Sequence, residues 1–208
     1  MIAALYVAKD SVYYGLPNVQ CWDEIRDARN YKGPHPVIAH PPCKRWGRFA
    51  HGSPRKPHQF LPGDDAGCFF HAVWAVRTFG GVLEHPKDSK AWKMFGMPKP
   101  LYGWDSWTGP DHYGGRSCYV EQGFYGHISR KPTWLYAVLP SDKDYVDLKW
   151  GLGEQRLDPK MVERYGYEYA RKRGIVGNIG GKDKEAIRDA TPEEFRDVLI
   201  QLVENAYG

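Results

Sequence analysis

The sequence predicts an α/β fold with a mostly parallel sheet flanked by helices. Two apolar segments, at 37–39 and 81–83, are each followed closely by a His-Pro pair. Proline has no N–H for a sheet ladder and restricts the residue before it, so these pairs mark strand ends. Apolar residues between the segments recur at helical spacing. A strand, a helix of about four turns and a second strand form a right-handed βαβ unit, so the two strands should be parallel.

The other elements follow along the chain. Short apolar runs predict strands at 3–8, 19–22, 117–122 and 133–138. The helix between the two His-Pro stops should begin at Asp64 or Asp65 and end at Gly80. Its expected buried face comprises Ala66, Phe69, Phe70, Val73 and Trp74.

Two further helices are expected near the end of the chain. Asp158 followed by Pro159 favours a helix start, and that helix should continue to about residue 173. Thr191-Pro192-Glu193-Glu194 predicts a capping box that begins the closing helix. Residues 141–208 are therefore expected to be a helical C-terminal part.

Length and composition favour a single domain covering 1–208, with 42% hydrophobic and 14% aromatic residues. Neither a signal peptide nor an apolar run of membrane length is evident. The four cysteines are scattered and form no Cys-x-x-Cys pair, which indicates free thiols in a reduced, cytoplasmic protein. We therefore expect no membrane partner, and the oligomeric state stays open.

Cys43 is the first candidate functional residue, because it follows a strand end on a loop stiffened by Pro41 and Pro42. Ligands bind at the carboxyl ends of strands in open α/β sheets. Nearby cations lower the pKa of a thiol and suit it to nucleophilic chemistry. The alternative is a small buried hydrophobe without function. Glu84 ends the second strand in the same way, so both side chains should lie at one edge of the sheet.

The charge around Cys43 is uneven although the net charge of the chain is only +4. Residues 28–63 contain no acidic side chain. This composition is compatible with a phosphate-bearing or polyanionic substrate. The alternative is a solvated loop whose charge is balanced by acids elsewhere. The candidate nucleic-acid contacts are Lys44, Arg45, Arg48, Arg55 and Lys56.

Three stretches in order resemble the cytosine-C5 DNA methyltransferase family: Pro-Pro-Cys at 41–43, Leu-Glu-His-Pro at 83–86, and Tyr-Gly-His-Ile-Ser-Arg-Lys at 125–131. The family has a Pro-Cys loop, a Glu-Asn-Val strand end and a Tyr-Gly-x-x-Gln-x-Arg-x-Arg segment in the same order. The resemblance covers 36–140 as the matched catalytic core. It implies a Rossmann-like methyltransferase core, truncated at the N-terminus, that modifies DNA with S-adenosylmethionine as cofactor.

The resemblance also implies roles for individual residues. Cys43 would be the nucleophile that attacks carbon 6 of a pyrimidine, and Glu84 the group at ring nitrogen 3. Arg130 or Lys131 would contact the base and the backbone. On duplex DNA the base would have to be flipped out of the stack.

The chain departs from the family pattern at several positions. Lys44 stands where the family has glutamine and His85 where it has asparagine, and the Phe-x-Gly-x-Gly cofactor loop is missing. A compressed cofactor site could use Asp10 and Ser11, with Asp23 or Glu24 as the acid for a ribose hydroxyl.

Three alternatives stay open from the sequence. The chain could be a catalytically inactive, methyltransferase-like DNA-binding protein. It could modify a pyrimidine nucleotide, or use a donor other than S-adenosylmethionine. The third alternative is a zinc site of His40, Cys43 and His85 at the sheet edge, although no metal is the primary expectation.

Overall fold

The computed structural model describes residues 1–47, 50, 52–53, 56–57, 61–101, 107–146, 148, 157, 159–173 and 179–208, without the side chains of 52–53, 56–57 and 173. The strands are β1 (Ile2–Leu5), β2 (Val19–Trp22), β3 (Val37–Ala39), β4 (Gly52–Ser53), β5 (Lys56–Pro57), β6 (Gly81–Pro86), β7 (Arg116–Glu121) and β8 (Pro132–Val138). The helices are α1 (Cys68–Phe79), α2 (Ala91–Met94), α3 (Pro159–Tyr165), α4 (Tyr167–Arg173), α5 (Lys184–Asp189) and α6 (Glu193–Tyr207).

Six strands form one sheet in the order β2-β1-β3-β6-β8-β7. The pairs β1–β2, β1–β3 and β3–β6 are parallel, as the βαβ argument predicts for β3 and β6. β8 is antiparallel to both of its neighbours, so the sheet is mixed. The connection from β7 to β8 is too short for a parallel crossover. The chain therefore reverses direction there, and the two strands pair antiparallel. The α/β class is confirmed, with a six-stranded mixed sheet flanked by helices.

The approach of β3 to β6 depends on glycine at the first position of β6. Val37 pairs with Gly81, whose φ is +112°, and a Cβ on Gly81 would lie 2.0 Å from the carbonyl oxygen of Val37. A side chain there would therefore separate the two central strands. The register that this contact helps to fix continues to the pair formed by Ala39, at the end of β3, and Leu83, within β6.

Helices cover both faces of the sheet, so the inner strands are buried throughout. Phe69, Val73 and Val76 of α1 pack in one core cluster, and Phe195, Leu199 and Val203 of α6 pack in the other. In the described part of the chain, every helix is too short or too polar to cross a lipid bilayer.

Several local predictions differ from the structure. Ala66 and Phe70 are exposed, because α1 begins only at Cys68 and turns Phe70 away from the sheet. Pro192 is extended and forms the N-cap of α6 without a side-chain cap, so the predicted capping box at Thr191 is wrong. The helix predicted to start at Asp158 is divided into α3 and α4 at Gly166, whose φ is +80°.

Candidate active site at the carboxyl edge of the sheet

His40 and Glu84 meet where β3 and β6 end. Ala39 pairs with Leu83, so the next residues along both parallel strands lie side by side. Nδ1 of His40 is 3.2 Å from Oε2 of Glu84, and both side chains are largely buried. The parallel register thus converts two distant strand ends into one polar contact.

The second oxygen of Glu84 is held from the opposite side by Gln122. Nε2 of Gln122 donates to Oε1 of Glu84 at 3.0 Å and to Oγ1 of Thr133 at 2.9 Å. Thr133 itself donates to the carbonyl of Lys131 at 3.0 Å, so its oxygen is the acceptor for Gln122. Two donors therefore fix the orientation of the Glu84 carboxylate.

Tyr13 completes a chain of hydrogen bonds behind Glu84. Its hydroxyl lies 3.0 Å from Nε2 of His40. A carboxylate only accepts hydrogen bonds, so Nδ1 of His40 carries the proton that faces Glu84. In the neutral imidazole, Nε2 is then the acceptor for the Tyr13 hydroxyl.

The surroundings of Glu84 favour its ionised form. Burial raises the pKa of this carboxyl, but the hydrogen bond and charge of His40, together with the charge of Lys131, outweigh burial, and the pKa is lowered. The resting site therefore holds a carboxylate at the sheet edge.

Cys43 lies on the loop that follows β3, and its thiol is protonated at neutral pH. The backbone amides of Trp46 and Gly47 both donate to the Cys43 carbonyl at 3.0 Å, which closes a tight backbone turn that begins at Cys43. Burial, followed by the charges of Asp189 and Glu84, raises the pKa of Cys43 to about 11. Lys131 acts in the opposite direction but does not compensate. A nearby cation therefore lowers the pKa of Cys43 as expected, but the net pKa is raised because burial and two carboxylates outweigh it.

Lys131 joins Cys43 and Glu84 electrostatically, since its charge acts on both groups. Its Nζ donates to the backbone carbonyls of Asp189 at 3.2 Å and Ala190 at 2.6 Å, at the end of α5. Burial lowers the pKa of Lys131. The last turn of α5 thus lies against the group formed by Cys43, Glu84 and Lys131.

Arg130 points to a different partner. Its guanidinium forms a buried ion pair with Glu121, which also accepts from the Tyr119 hydroxyl at 2.6 Å. The same guanidinium lines a cavity of about 460 Å³ together with α4. Of the two basic candidates, Lys131 is the one whose charge acts on Cys43 and Glu84.

The candidate cofactor residues lie near the ends of β1 and β2. Asp10 is exposed and Ser11 half-buried in the turns after β1. Asp23 directly follows β2, where its carboxylate accepts from the Tyr14 hydroxyl and the Arg26 amide, both at 2.9 Å. Glu24 is exposed beside it. Because β1 and β2 are parallel, the two segments share the carboxyl edge with Cys43.

The candidate nucleic-acid contacts are described only in part. Lys44 is exposed and Arg45 half-buried on the Cys43 loop. Arg48 and Arg55 lie outside the described residues, and so does the side chain of Lys56, whose backbone belongs to β5.

The ring of His85 packs against two aromatic side chains. Its ring lies edge-on to Phe69 at 4.9 Å and is stacked on Trp92 at 6.3 Å. Burial lowers its pKa to about 4, so the ring is neutral. The described residues contain no group of three His, Cys, Asp or Glu side chains that could hold a metal ion, so His40, Cys43 and His85 do not form one.

Sequence reasoning did not identify three residues of the site in the roles that they have here. Tyr13 and Gln122 were not candidates at all, and His40 was considered only as a metal ligand. The only sequence signal for any of them was the position of His40 immediately before the Pro-Pro-Cys stretch.

Comparisons with known proteins do not identify a family for this chain. No protein-family model matches the chain, and no curated protein matches it.

Proposed function

We propose that this protein is a DNA-modifying transferase that acts at carbon 5 of a pyrimidine through a covalent Cys43 adduct, most simply a DNA cytosine-C5 methyltransferase. The observation that carries the proposal is the pairing of a protonated thiol with an ionised carboxylate at one sheet edge. The charge of Glu84 acts on Cys43, the charge of Lys131 acts on both groups, and Glu84 is oriented by His40 and Gln122.

This pair matches what thiol addition to cytosine requires. The Cys43 sulfur bonds to carbon 6 as the S–H bond breaks, and the carbon 5–carbon 6 π electrons form a carbon 4–carbon 5 double bond. The π electrons of the carbon 4–nitrogen 3 bond move onto nitrogen 3. The proton passes by way of Glu84 to ring nitrogen 3. Net charge is unchanged, and carbon 5 becomes a nucleophilic enamine.

Lys131 assists the step in which the thiol loses its proton and attacks as a thiolate. Its ammonium stabilises the thiolate during attack, since its charge lowers the pKa of Cys43. His40 and Tyr13 act through Glu84, so their role is to position the carboxylate.

S-adenosylmethionine is the proposed donor, and Asp23 fits one part of it. Each carboxylate oxygen of Asp23 keeps acceptor capacity beyond its bond to Tyr14 or Arg26, which suits it to ribose hydroxyls. Asp10, Ser11 and Glu24 would complete the binding segment. The cofactor, when bound, would supply an electrophilic methyl group.

The arrangement of the parallel strands supports a Rossmann-like methyltransferase core. The order β2-β1-β3 reverses direction between β1 and β3. Open α/β sheets bind ligands in the crevice at such a switch point. Cys43 and His40 directly follow β3 and therefore border this crevice.

The test is covalent capture. The protein is incubated with a single-stranded oligonucleotide containing 5-fluorocytosine, with and without S-adenosylmethionine, and intact mass is measured. A covalent complex carrying one added methyl group in the wild type, and none in Cys43→Ala, is the expected result. A wild-type protein that binds the oligonucleotide without any adduct would instead favour a catalytically inactive DNA-binding protein. An adduct without the methyl group would indicate another donor.

A further inference from the structure

The helices α3 and α4 present an exposed set of cations and tyrosines next to the candidate active site. Between Pro159 and Arg173 the chain carries five basic and two acidic residues. Three tyrosines in this segment are exposed: Tyr165, Tyr167 and Tyr169. Ala170 is buried and seats α4 on the protein body.

The tyrosines are arranged as a platform rather than scattered. The rings of Tyr165 and Tyr169 lie 4.9 Å apart at 32° to each other, across the Gly166 break. The guanidinium of Arg164 lies 5.1 Å from the Tyr165 ring. Rings with a purely packing role would be buried against the core, but Tyr165 and Tyr169 are each 45% exposed.

A cavity of about 460 Å³ extends from this platform to Arg130, the chain neighbour of Lys131. Arg130, Glu168, Tyr169, Arg171 and Lys172 line it. Arg130 lies between β7 and β8 at the carboxyl edge of the sheet, because Glu121 pairs with Pro132 and Pro86 pairs with Thr133. Its chain neighbour Lys131 acts on Cys43 and Glu84. The cavity and the candidate active site therefore lie on opposite sides of one short segment, Arg130-Lys131, in the chain.

We infer that α3 and α4 bind a nucleic-acid strand with unpaired bases, whose phosphates contact Arg171 and Lys172 and whose bases stack on Tyr165 and Tyr169. Cationic side chains interleaved with exposed aromatic rings are how proteins hold single strands without sequence preference. This inference rests on the proposed function and narrows its DNA substrate to a strand with unpaired bases.

The experiment measures binding of a fluorescein-labelled 20-nucleotide single strand by anisotropy, across a salt series and without donor. Two double variants remove the two kinds of contact: Arg171→Ala with Lys172→Ala, and Tyr165→Leu with Tyr169→Leu. The matched control is Lys32→Ala with Lys143→Ala. Both control lysines are exposed, and they lie at the amino edge of β3, where β8 ends.

The expected results differ between the variants. The cation variant binds about tenfold more weakly at 100 mM salt, with the salt slope reduced by about 1.4 because two phosphate contacts are lost. The tyrosine variant also binds about tenfold more weakly, with an unchanged salt slope, since stacking is not electrostatic. The control variant binds like the wild type.

The inference would be overturned if both surface variants bound the single strand as tightly as the wild type. It would also be overturned if the control variant lost as much affinity as the surface variants. Adduct formation by the wild type with the 5-fluorocytosine oligonucleotide is read separately. Loss of binding in the surface variants without any wild-type adduct would support the surface and overturn the proposed function. Adduct formation at wild-type rate by both surface variants would overturn the surface alone.

Discussion

At the scale of single residues, the state of the Cys43 thiol depends on the charges around it, that of Glu84 among them. The carboxylate of Glu84 is one of the charges that raise the pKa of Cys43 to about 11. Glu84→Gln removes that negative charge, so the thiolate is less disfavoured and the pKa of Cys43 should fall. Lys131→Met removes a positive charge and should raise it. The measurement is the alkylation rate of Cys43 by iodoacetamide against pH, resolved from the other three cysteines by peptide mass spectrometry.

Asp189→Asn is the control for that prediction, because the charge of Asp189 also raises the pKa of Cys43. It should lower the pKa while leaving the hydrogen bonds of Glu84 intact. Identical alkylation profiles in the wild type, Glu84→Gln and Asp189→Asn would contradict the electrostatic account. Glu84→Gln should also slow adduct formation by about 10²-fold or more, the scale of a lost proton donor.

The placement of Cys43 and Glu84 at one edge of the sheet could be predicted from local sequence. Each residue lies next to an apolar run that is stopped by proline. His40, Tyr13 and Gln122 have no such mark in these roles. Their contacts join residues 44, 27 and 38 positions apart. Such pairs depend on the register of the strands, which no short stretch of sequence specifies. The role proposed for Arg130 stays a prediction, since its observed partner is Glu121.

At the scale of elements, the central strands require glycine at the start of β6. Gly81→Ala should destabilise the fold by about 3 kcal/mol, combining backbone strain at positive φ with forced separation of the strands. Gly15→Ala is the matched control, because Gly15 also has positive φ, +78°, but nothing lies within 4 Å of an added Cβ. It should cost only about 1 kcal/mol. Urea unfolding measures both, and equal losses would refute the steric role of Gly81.

Strand existence was easier to predict than strand order. The predicted strand at 19–22 coincides with β2, and the βαβ unit correctly gave the parallel pairing of β3 with β6. The second strand was expected to end at Glu84, but β6 continues to Pro86 because these residues pair with β8. The insertion of β8 between β6 and β7 was not foreseen, because its pairing involves residues about 50 positions away. The division of α3 from α4 had a local signal in Gly166, but the helix start at Asp158-Pro159 was taken to continue through it to about residue 173.

At the scale of the whole molecule, α5 bridges the C-terminal region and the sheet edge. None of its residues is buried, so its attachment depends on hydrogen bonds. Lys131 holds the carbonyls of Asp189 and Ala190, and His127 contacts the carbonyl of Ile187 at 3.0 Å. Lys131→Met should therefore speed amide hydrogen exchange in α5, while Lys184→Met, a change on the exposed helix itself, should not. Unchanged exchange in Lys131→Met would show that α5 is held by other contacts.

The attachment of α5 to Lys131 has a thermodynamic consequence. A single ammonium group serves both the helix end and the charges of Cys43 and Glu84. Any molecule that draws Lys131 away from those carbonyls must loosen α5. Linkage is reciprocal, so whatever holds α5 in place must weaken the binding of that molecule by the same factor. The affinity of the site is therefore set in part by how often a six-residue helix detaches from the protein.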